Sequence, residues 1–243
     1  MALLEVTDVT RRFGGVTAVD HCSLAIREGS LTGLIGPNGA GKTTMFNLIA
    51  GALRPDRGQI RLSGQRLDRL PPHRIARLGV SRTFQLTREL ADLTVLENIV
   101  VHAPVRGVDL LRRSIGDAER VRAMNLLELV GLTRLADAPA GSLSYGQKKL
   151  LELAGALMPA PRLILLDEPA AGVNPALLDK IVGYIEHVHR TGVTFLIVEH
   201  NMDLVMSLCD PIIVMAHGKV LAHGPRDQIQ GDPRVLDAYL GAA

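Results

Sequence analysis

The sequence contains no tryptophan, and aromatic residues of all kinds fill only 3% of its 243 positions. Any sizeable core must therefore be aliphatic, and with 47% hydrophobic residues there is enough apolar surface to build one. Cysteine is nearly as scarce. Cys22 and Cys209 stand far apart and in no metal-ligand spacing, which argues against a disulfide framework, fits a reducing compartment and leaves both as buried, inert thiols. Neither sign of charge dominates. The 27 basic and 25 acidic residues leave a net charge of +2, with neither the basic footprint of a nucleic-acid binder nor an acidic tail. Charges interrupt the opening MALLEVTDVTRR too soon for a secretory signal. No stretch approaches the ~20 apolar residues that a membrane-spanning helix needs. A soluble chain is expected, with any membrane role supplied by partners.

What is present is an alternation of short apolar runs with helical patterns. Strands are expected at Leu4–Val9, Val19–Ile26, Leu31–Ile35, Gln59–Leu62, Val80–Phe84, Leu163–Leu166, Thr194–Val198, Ile212–Met215 and Val220–His223. Helices are expected at Lys42–Ala50, Val95–His102, Asp117–Val130, Ser144–Met158, Pro175–His189, Met202–Leu208 and Arg234–Leu240. The strand–helix alternation after residue 160 predicts a parallel sheet covered by helices. The turn-rich first 65 residues predict an antiparallel layer, and residues 86–158 read as mostly helical. The whole of 1–243 is thus expected to be one nucleotide-type domain: a core from 1–85 and 159–243 with its antiparallel layer, and a helical subdomain at 86–158. Pro104–Gly116 is a short basic loop, read as a solvated connection.

Residues 31–44 read LTGLIGPNGAGKTT. A buried-type strand leads into Gly36-Pro37-Asn38-Gly39-Ala40-Gly41-Lys42-Thr43-Thr44, and a helical pattern follows, which is the context a phosphate loop requires. Glycines let backbone N–H groups turn inward around a triphosphate, and the helix N-terminus adds partial positive charge. Lys42 supplies a full charge to the β- and γ-phosphates. Thr43 offers a hydroxyl to Mg²⁺, and Thr44 can reach the α-phosphate. ATP and Mg²⁺ are the implied ligands.

A second buried-type run, RLILLDEP at 162–169, ends in two carboxylates at the edge where ligands bind in open α/β sheets. Asp167 suits Mg²⁺, directly or through water. Glu168, on the opposite side of the strand alternation, suits an attacking water. The run VTFLIVEHNMD at 193–203 brings His200 just past the end of another strand, on the same edge, where it can donate to a γ-phosphate. Gln85 closes the strand VSRTF and opens the helical insertion, where a neutral amide can ligate Mg²⁺ or its water and still swing away. The remaining seven histidines have no such context and read as structural or solvated.

The stretch LSYGQKK at 143–149 starts a helix that Ser144 can cap, with Leu150, Leu153, Ala154, Leu157 and Met158 on one face. Beside the other motifs it has a second reading. An uncapped N-terminus aimed outward, with Ser144 and Gly146 beside it, is an anion site that this chain does not need but a partner's γ-phosphate does. Tyr145 is expected to point off the phosphate path.

In this order, GPNGAGKTT at 36–44, TFQ at 83–85, LSYGQ at 143–147, LILLDE at 163–168 and EH at 199–200 make the chain resemble the ATP-binding subunit of an ABC transporter. RTFQLTRELADLTVLEN, LDEPAAGVNP, EHNMDLVM and the tail DPRVLDAYLG are similar to the ATPases of branched-chain amino acid importers. ATPases for urea or amide uptake and for lipopolysaccharide export share much of this pattern. The resemblance implies an α/β phosphate-loop NTPase (RecA-like) core with an antiparallel β subdomain and an inserted α-helical subdomain. It implies Phe13, within RRFGG, as an adenine platform. It also implies Ser144, Gly146 and Gln147 as a signature that completes a partner's ATP site. Implied partners are two transmembrane permeases, a second ATP-binding subunit and, indirectly, an extracytoplasmic solute-binding protein, with no nucleic acid. The implied place is the cytoplasmic face of the inner membrane, as a peripheral subunit. The sequence departs from the commonest family pattern at Tyr145, where LSGGQ has glycine, and at Ala171-Gly172-Val173-Asn174, where an Asp usually closes the distal loop after Ser-Ala-Leu. An ABC-type ATPase of translation or DNA repair usually carries two cassettes or a long coiled-coil insertion, and neither is present. A phosphate-loop kinase leaves LSYGQ unexplained.

Overall fold

The computed structural model describes residues 1–83, 89–104 and 116–240. Gln85 and Phe84, and most of the basic loop, lie outside the described residues.

A central sheet has the strand order β10-β9-β3-β8-β7-β6. Its strands are β3 (Leu31–Ile35), β6 (Val80–Arg82), β7 (Leu163–Asp167), β8 (Thr194–Val198), β9 (Ile212–Ala216) and β10 (Lys219–Gly224). All neighbours run parallel except β10, which folds back antiparallel on β9. β3, β7, β8 and β9 are buried along their whole length, which is why they read as largely apolar runs rather than alternating ones, with Thr32, Thr194 and Asp167 as buried polar exceptions. The period of two is still there, but it sorts residues between two cores. Ile164, Leu166, Phe195, Ile197, Ile212 and Val214 face one core. Leu163, Leu165, Leu196, Val198, Ile213 and Met215 face the other.

The second core is closed by a four-stranded antiparallel sheet of order β2-β1-β4-β5 and by α1 (Lys42–Ile49). Its strands are β1 (Ala2–Phe13), β2 (Val16–Arg27), β4 (Arg57–Leu62) and β5 (Gln65–Arg66). The first core is covered by helices: α3 (Val95–Val100), α4 (Asp117–Leu129) and α5 (Tyr145–Leu157), which pack on one another, then α6 (Pro175–Arg190) and α7 (Met202–Leu208). Arg122 of α4 donates to the carbonyls of Leu157 and Met158 (2.9 and 2.8 Å), satisfying acceptors at the end of α5.

The expected parallel sheet, antiparallel layer and helical segment are all present. Among the described residues, β5, α2 (Pro72–Arg77), α8 (Arg226–Gln230) and two single 3-10 turns, Thr133–Leu135 and Ala140–Ser142, were not expected. α2 and α8 bury a single residue each, Ile75 and Ile229, so no periodic apolar pattern announces them. The last helix, α9 (Pro233–Leu240), carries Tyr239 back towards the start of the phosphate loop.

Candidate functional site

The loop at 36–41 runs from the end of β3 to the start of α1. Two of its glycines are required by close approach. A Cβ on Gly36 would lie 2.0 Å from the Met215 carbonyl oxygen, and one on Gly41 would lie 2.3 Å from that of Ala18. Gly41, at φ 98°, caps α1 without a side chain, so among the described residues the first N–H groups of the helix receive no side-chain cap. The turn between β9 and β10 holds the loop from behind: Gly218 N–H donates to Ala40 O (3.1 Å), and Asp20 N–H donates to Gly218 O (2.8 Å). Asn38, Gly39 and Thr43 are exposed, whereas Ala40 is buried and Pro37 and Thr44 are half-buried.

Lys42 is only 5% exposed. Its ammonium folds back to donate to Gly36 O (2.7 Å) and Pro37 O (3.0 Å). Burial lowers its pKa below the ordinary lysine value, and the nearby charges of Glu168 and Asp167 oppose that shift. The phosphate loop and the carboxylate pair therefore share one electrostatic site. Tyr239 adjoins the loop at Gly36, whose backbone faces its hydroxyl, and burial pushes that hydroxyl up to about 12.

Asp167 ends β7 and is 6% exposed. Its Oδ2 pairs with Arg82 of β6 at 2.8 Å, and Arg82 also donates to Asn47 Oδ1 of α1 at 2.6 Å. The guanidinium lies 5.8 Å from the Phe46 ring centroid. Arg82 was not singled out from the sequence, although a charge inside a buried-type strand beside β7 was a signal for it. The pairing leaves Oδ1 of Asp167 as its oxygen for other contacts.

Glu168 sits one residue past β7 in the left-handed region, at φ 50°, held there by its N–H donating to Val198 O (2.9 Å). Its Oε1 lies 2.9 Å from His200 Nε2. The two residues expected to act on water and on the γ-phosphate thus touch. Next to His200 in the chain is Glu199, 4% exposed, whose role the sequence did not disclose. Its carboxylate accepts from the N–H groups of Ala170 (2.7 Å), His200 (2.9 Å) and Asn201 (3.2 Å). It therefore ties the segment after β7 to the segment after β8. Asn201 in turn caps α7 through Leu204 N–H (3.1 Å).

Phe13 stands exposed at the tip of the β1–β2 hairpin. The Arg11 guanidinium lies 4.9 Å from its ring centroid and is itself fixed to Asp56 at 2.8 Å. One face of Phe13 is therefore braced, and the hairpin's next strand brings Ala18 against Gly41.

The N-terminus of α5 is not uncapped as expected. Ser144 Oγ accepts from Gln147 N–H (3.3 Å), and Gln147 Oε1 accepts from Ser144 N–H (2.9 Å), a reciprocal capping box. The N–H groups of Tyr145 and Gly146 precede the first intrahelical donor, Lys148, and remain available for an anion. An open groove of about 600 Å³ separates Ser144 and Gly146 from Asn174 and Lys180. Gly146 lies close against Leu177, whose Cδ2 would have to move aside for a Cβ there, at 2.6 Å. Asn174 accepts from Leu177 N–H (2.9 Å) and caps α6 with Pro175 in its first turn.

A family model described as "ABC transporter" matches residues 19–171, and one described as "Branched-chain amino acid ATP-binding cassette transporter" matches residues 219–243. The chain is 43% identical to the high-affinity branched-chain amino acid transport ATP-binding protein BraF of Pseudomonas aeruginosa, covering 99% of this chain and 98% of BraF. It is 41% identical to LivG of Escherichia coli K12 (99% and 98% covered) and 39% identical to a probable LivG of Archaeoglobus fulgidus (100% and 96%). Among solved structures, a nucleotide-free ATP-binding cassette from an ABC transporter superposes with a TM-score of 0.88 at 33% identity, over 98% of this chain and 99% of that one. A dimeric cassette bound to ADP and phosphate superposes with a TM-score of 0.78 at 25% identity, over 92% and 98%.

Proposed function

The chain belongs to the ATP-binding proteins of ABC transporters, in the branched-chain amino acid transport branch, and from that premise we propose how its site powers import. ATP is sandwiched between two cassettes. The amides of residues 36–41 and the α1 N-terminus take the phosphates. Lys42 turns from the Gly36 and Pro37 carbonyls to the β- and γ-phosphates, whose charge compensates the burial that lowers its pKa. Phe13 stacks on adenine with its other face braced by Arg11.

The donor set fits Mg²⁺. Hard oxygens are present in the Thr43 hydroxyl and Asp167 Oδ1, with Gln85 as a further donor. Among the described residues no group of three or more His, Cys, Asp or Glu forms a cage, as suits an ion that keeps waters and phosphate oxygens for itself. When bound, that ion neutralises charge on the phosphates. Glu168 orients and polarises the attacking water, and His200 holds Glu168 and senses the γ-phosphate. Ser144, Gly146 and Gln147 complete the partner's site, so each ATP needs both chains. Glu199 makes the segments after β7 and β8 move together, linking hydrolysis to the opening of the pair.

The observation that carries this reading is the convergence of Lys42, Asp167, Glu168 and His200 at one edge of the parallel sheet. Among the described residues no helix is long and apolar enough to cross a membrane. On the strength of its family, the membrane path is assigned to two permease subunits, with this chain peripheral on the cytoplasmic face, beside a second ATPase and fed by an external binding protein. The names of its relatives point to branched-chain amino acids as the solute. The test is purification of the tagged chain with its membrane partners and uptake of labelled leucine into vesicles containing the complex. ATP-dependent uptake that the Glu168→Gln complex lacks is expected. Uptake that is undiminished by that substitution overturns the proposal.

A further inference from the structure

Tyr145 stands where the signature turn meets the loop that follows Glu168. Its hydroxyl donates to the Ala171 carbonyl at 3.0 Å, across 26 residues of sequence. The other side of this contact is Gly172, at φ 71°. A Cβ there would lie 3.2 Å from Tyr145 Oη and 3.4 Å from Cε1 and Cζ of the ring. The phenol therefore lies flush on a backbone that only glycine provides comfortably, both for room and for conformation. The Lys149 ammonium, one turn further along α5, lies 5.9 Å from the ring centroid. Tyr145 is nonetheless 47% exposed, so the ring is not a core residue filling space. Two positions at which the sequence departs from the commoner family pattern, Tyr145 and the Ala171–Asn174 loop, are thus one contact.

We propose that Tyr145 is a positioning residue that latches the signature turn to the loop at 170–174 of its own chain, and so couples the two ATP sites of the pair. The inference rests on the reading of Ser144–Gln147 as the half-site for the partner's nucleotide. The same loop is anchored one residue earlier by Glu199, which accepts from Ala170 N–H and also from His200 N–H. A continuous path then runs within one chain. The partner's γ-phosphate holds Ser144 and Gly146. Tyr145 passes that position to Ala171, and Glu199 passes it to His200 and so to Glu168 at the chain's own ATP. Ordering one site sets the catalytic groups of the other.

The test is ATP hydrolysis by the assembled transporter with wild-type, Tyr145→Phe, Gly172→Ala and doubly substituted chains. Phe keeps the ring against Gly172 and Lys149 but removes the donor to Ala171. The wild type is expected to show a Hill coefficient for ATP above one. In Tyr145→Phe that coefficient falls towards one, and the ATP concentration for half-maximal rate rises about two- to tenfold, the worth of one hydrogen bond. Nucleotide affinity of the isolated chain stays unchanged, which separates the latch from a general loss of structure. Gly172→Ala gives the same loss, and the double variant loses less than the sum, because both act on one contact. A wild-type coefficient of one, or a Tyr145→Phe complex with wild-type cooperativity, overturns the latch. The Glu168→Gln chain distinguishes the two levels. If it pairs on ATP while Tyr145→Phe changes nothing, only the latch fails. If it does not pair, the half-site reading fails and the latch with it.

Discussion

Lys42 shows how one residue can be buried, charged and still useful. Its ammonium is held by two loop carbonyls, bonds that the proposed phosphate contact would exchange for charge-assisted ones. Lys42→Ala is expected to weaken ATP binding about tenfold to a hundredfold, the scale of a lost charge-assisted hydrogen bond. Titration with a fluorescent ATP analogue measures it, and unchanged affinity contradicts the phosphate-loop assignment. Arg82 offers a different test, because it pairs with Asp167 while both side chains are largely buried. Arg82→Met leaves that carboxylate without its guanidinium, and about 3–5 kcal/mol of stability should be lost. Urea unfolding would show it as a lower midpoint at unchanged slope. A midpoint within error of the wild type means that Asp167 does not depend on Arg82.

At the scale of elements, the α5 N-terminus is a capping box as well as the proposed half of a site. Ser144→Ala removes the Oγ that accepts from Gln147 N–H, while the backbone N–H of residue 144 can still donate to Gln147 Oε1, and is expected to cost about 1 kcal/mol of stability, read from thermal or urea melts, in addition to any effect on hydrolysis. His102, just beyond the end of α3, packs its ring against Gly155 of α5 and is held neutral, burial lowering its pKa from the ordinary 6.5. Its unfolded form binds the proton more readily than its folded form. Its contribution to stability is therefore full above pH 6.5 and is lost progressively as pH falls from there to the lower folded value. Melting temperatures at pH 7.5 and 5.5 should differ less in His102→Gln than in the wild type, and an equal drop in both removes His102 as the cause. Elements such as β3, β8 and α7 were legible in the sequence. Buried strands write continuous apolar runs, and Asn201 marks a helix start. The phosphate loop was legible for the same local reason. The bonds of Arg82 to Asp167 and of Glu199 to Ala170 were not, because they span 85 and 29 residues and leave no local pattern. The cap on α5 was half legible: Ser144 was seen, but its reciprocal partner Gln147 was assigned to the phosphate alone.

The whole molecule is organised so that the central sheet, with one core on each face, presents its C-terminal edge to nucleotide. What remains is a surface that fits half of a second site: the Ser144–Gln147 turn facing the groove beside Asn174 and Lys180. Hydrolysis at the proposed sites therefore depends on pairing. The most direct measurement is sedimentation of the Glu168→Gln chain, alone and mixed with its companion ATPase subunit, in ATP and Mg²⁺ or in ADP and Mg²⁺. The account predicts a stable pair in ATP, homodimeric or heterodimeric, that dissociates in ADP and is lost when Lys42→Ala is added. A chain that binds ATP yet stays monomeric in every mixture, while the wild-type chain hydrolyses ATP at a specific rate independent of its concentration, contradicts it.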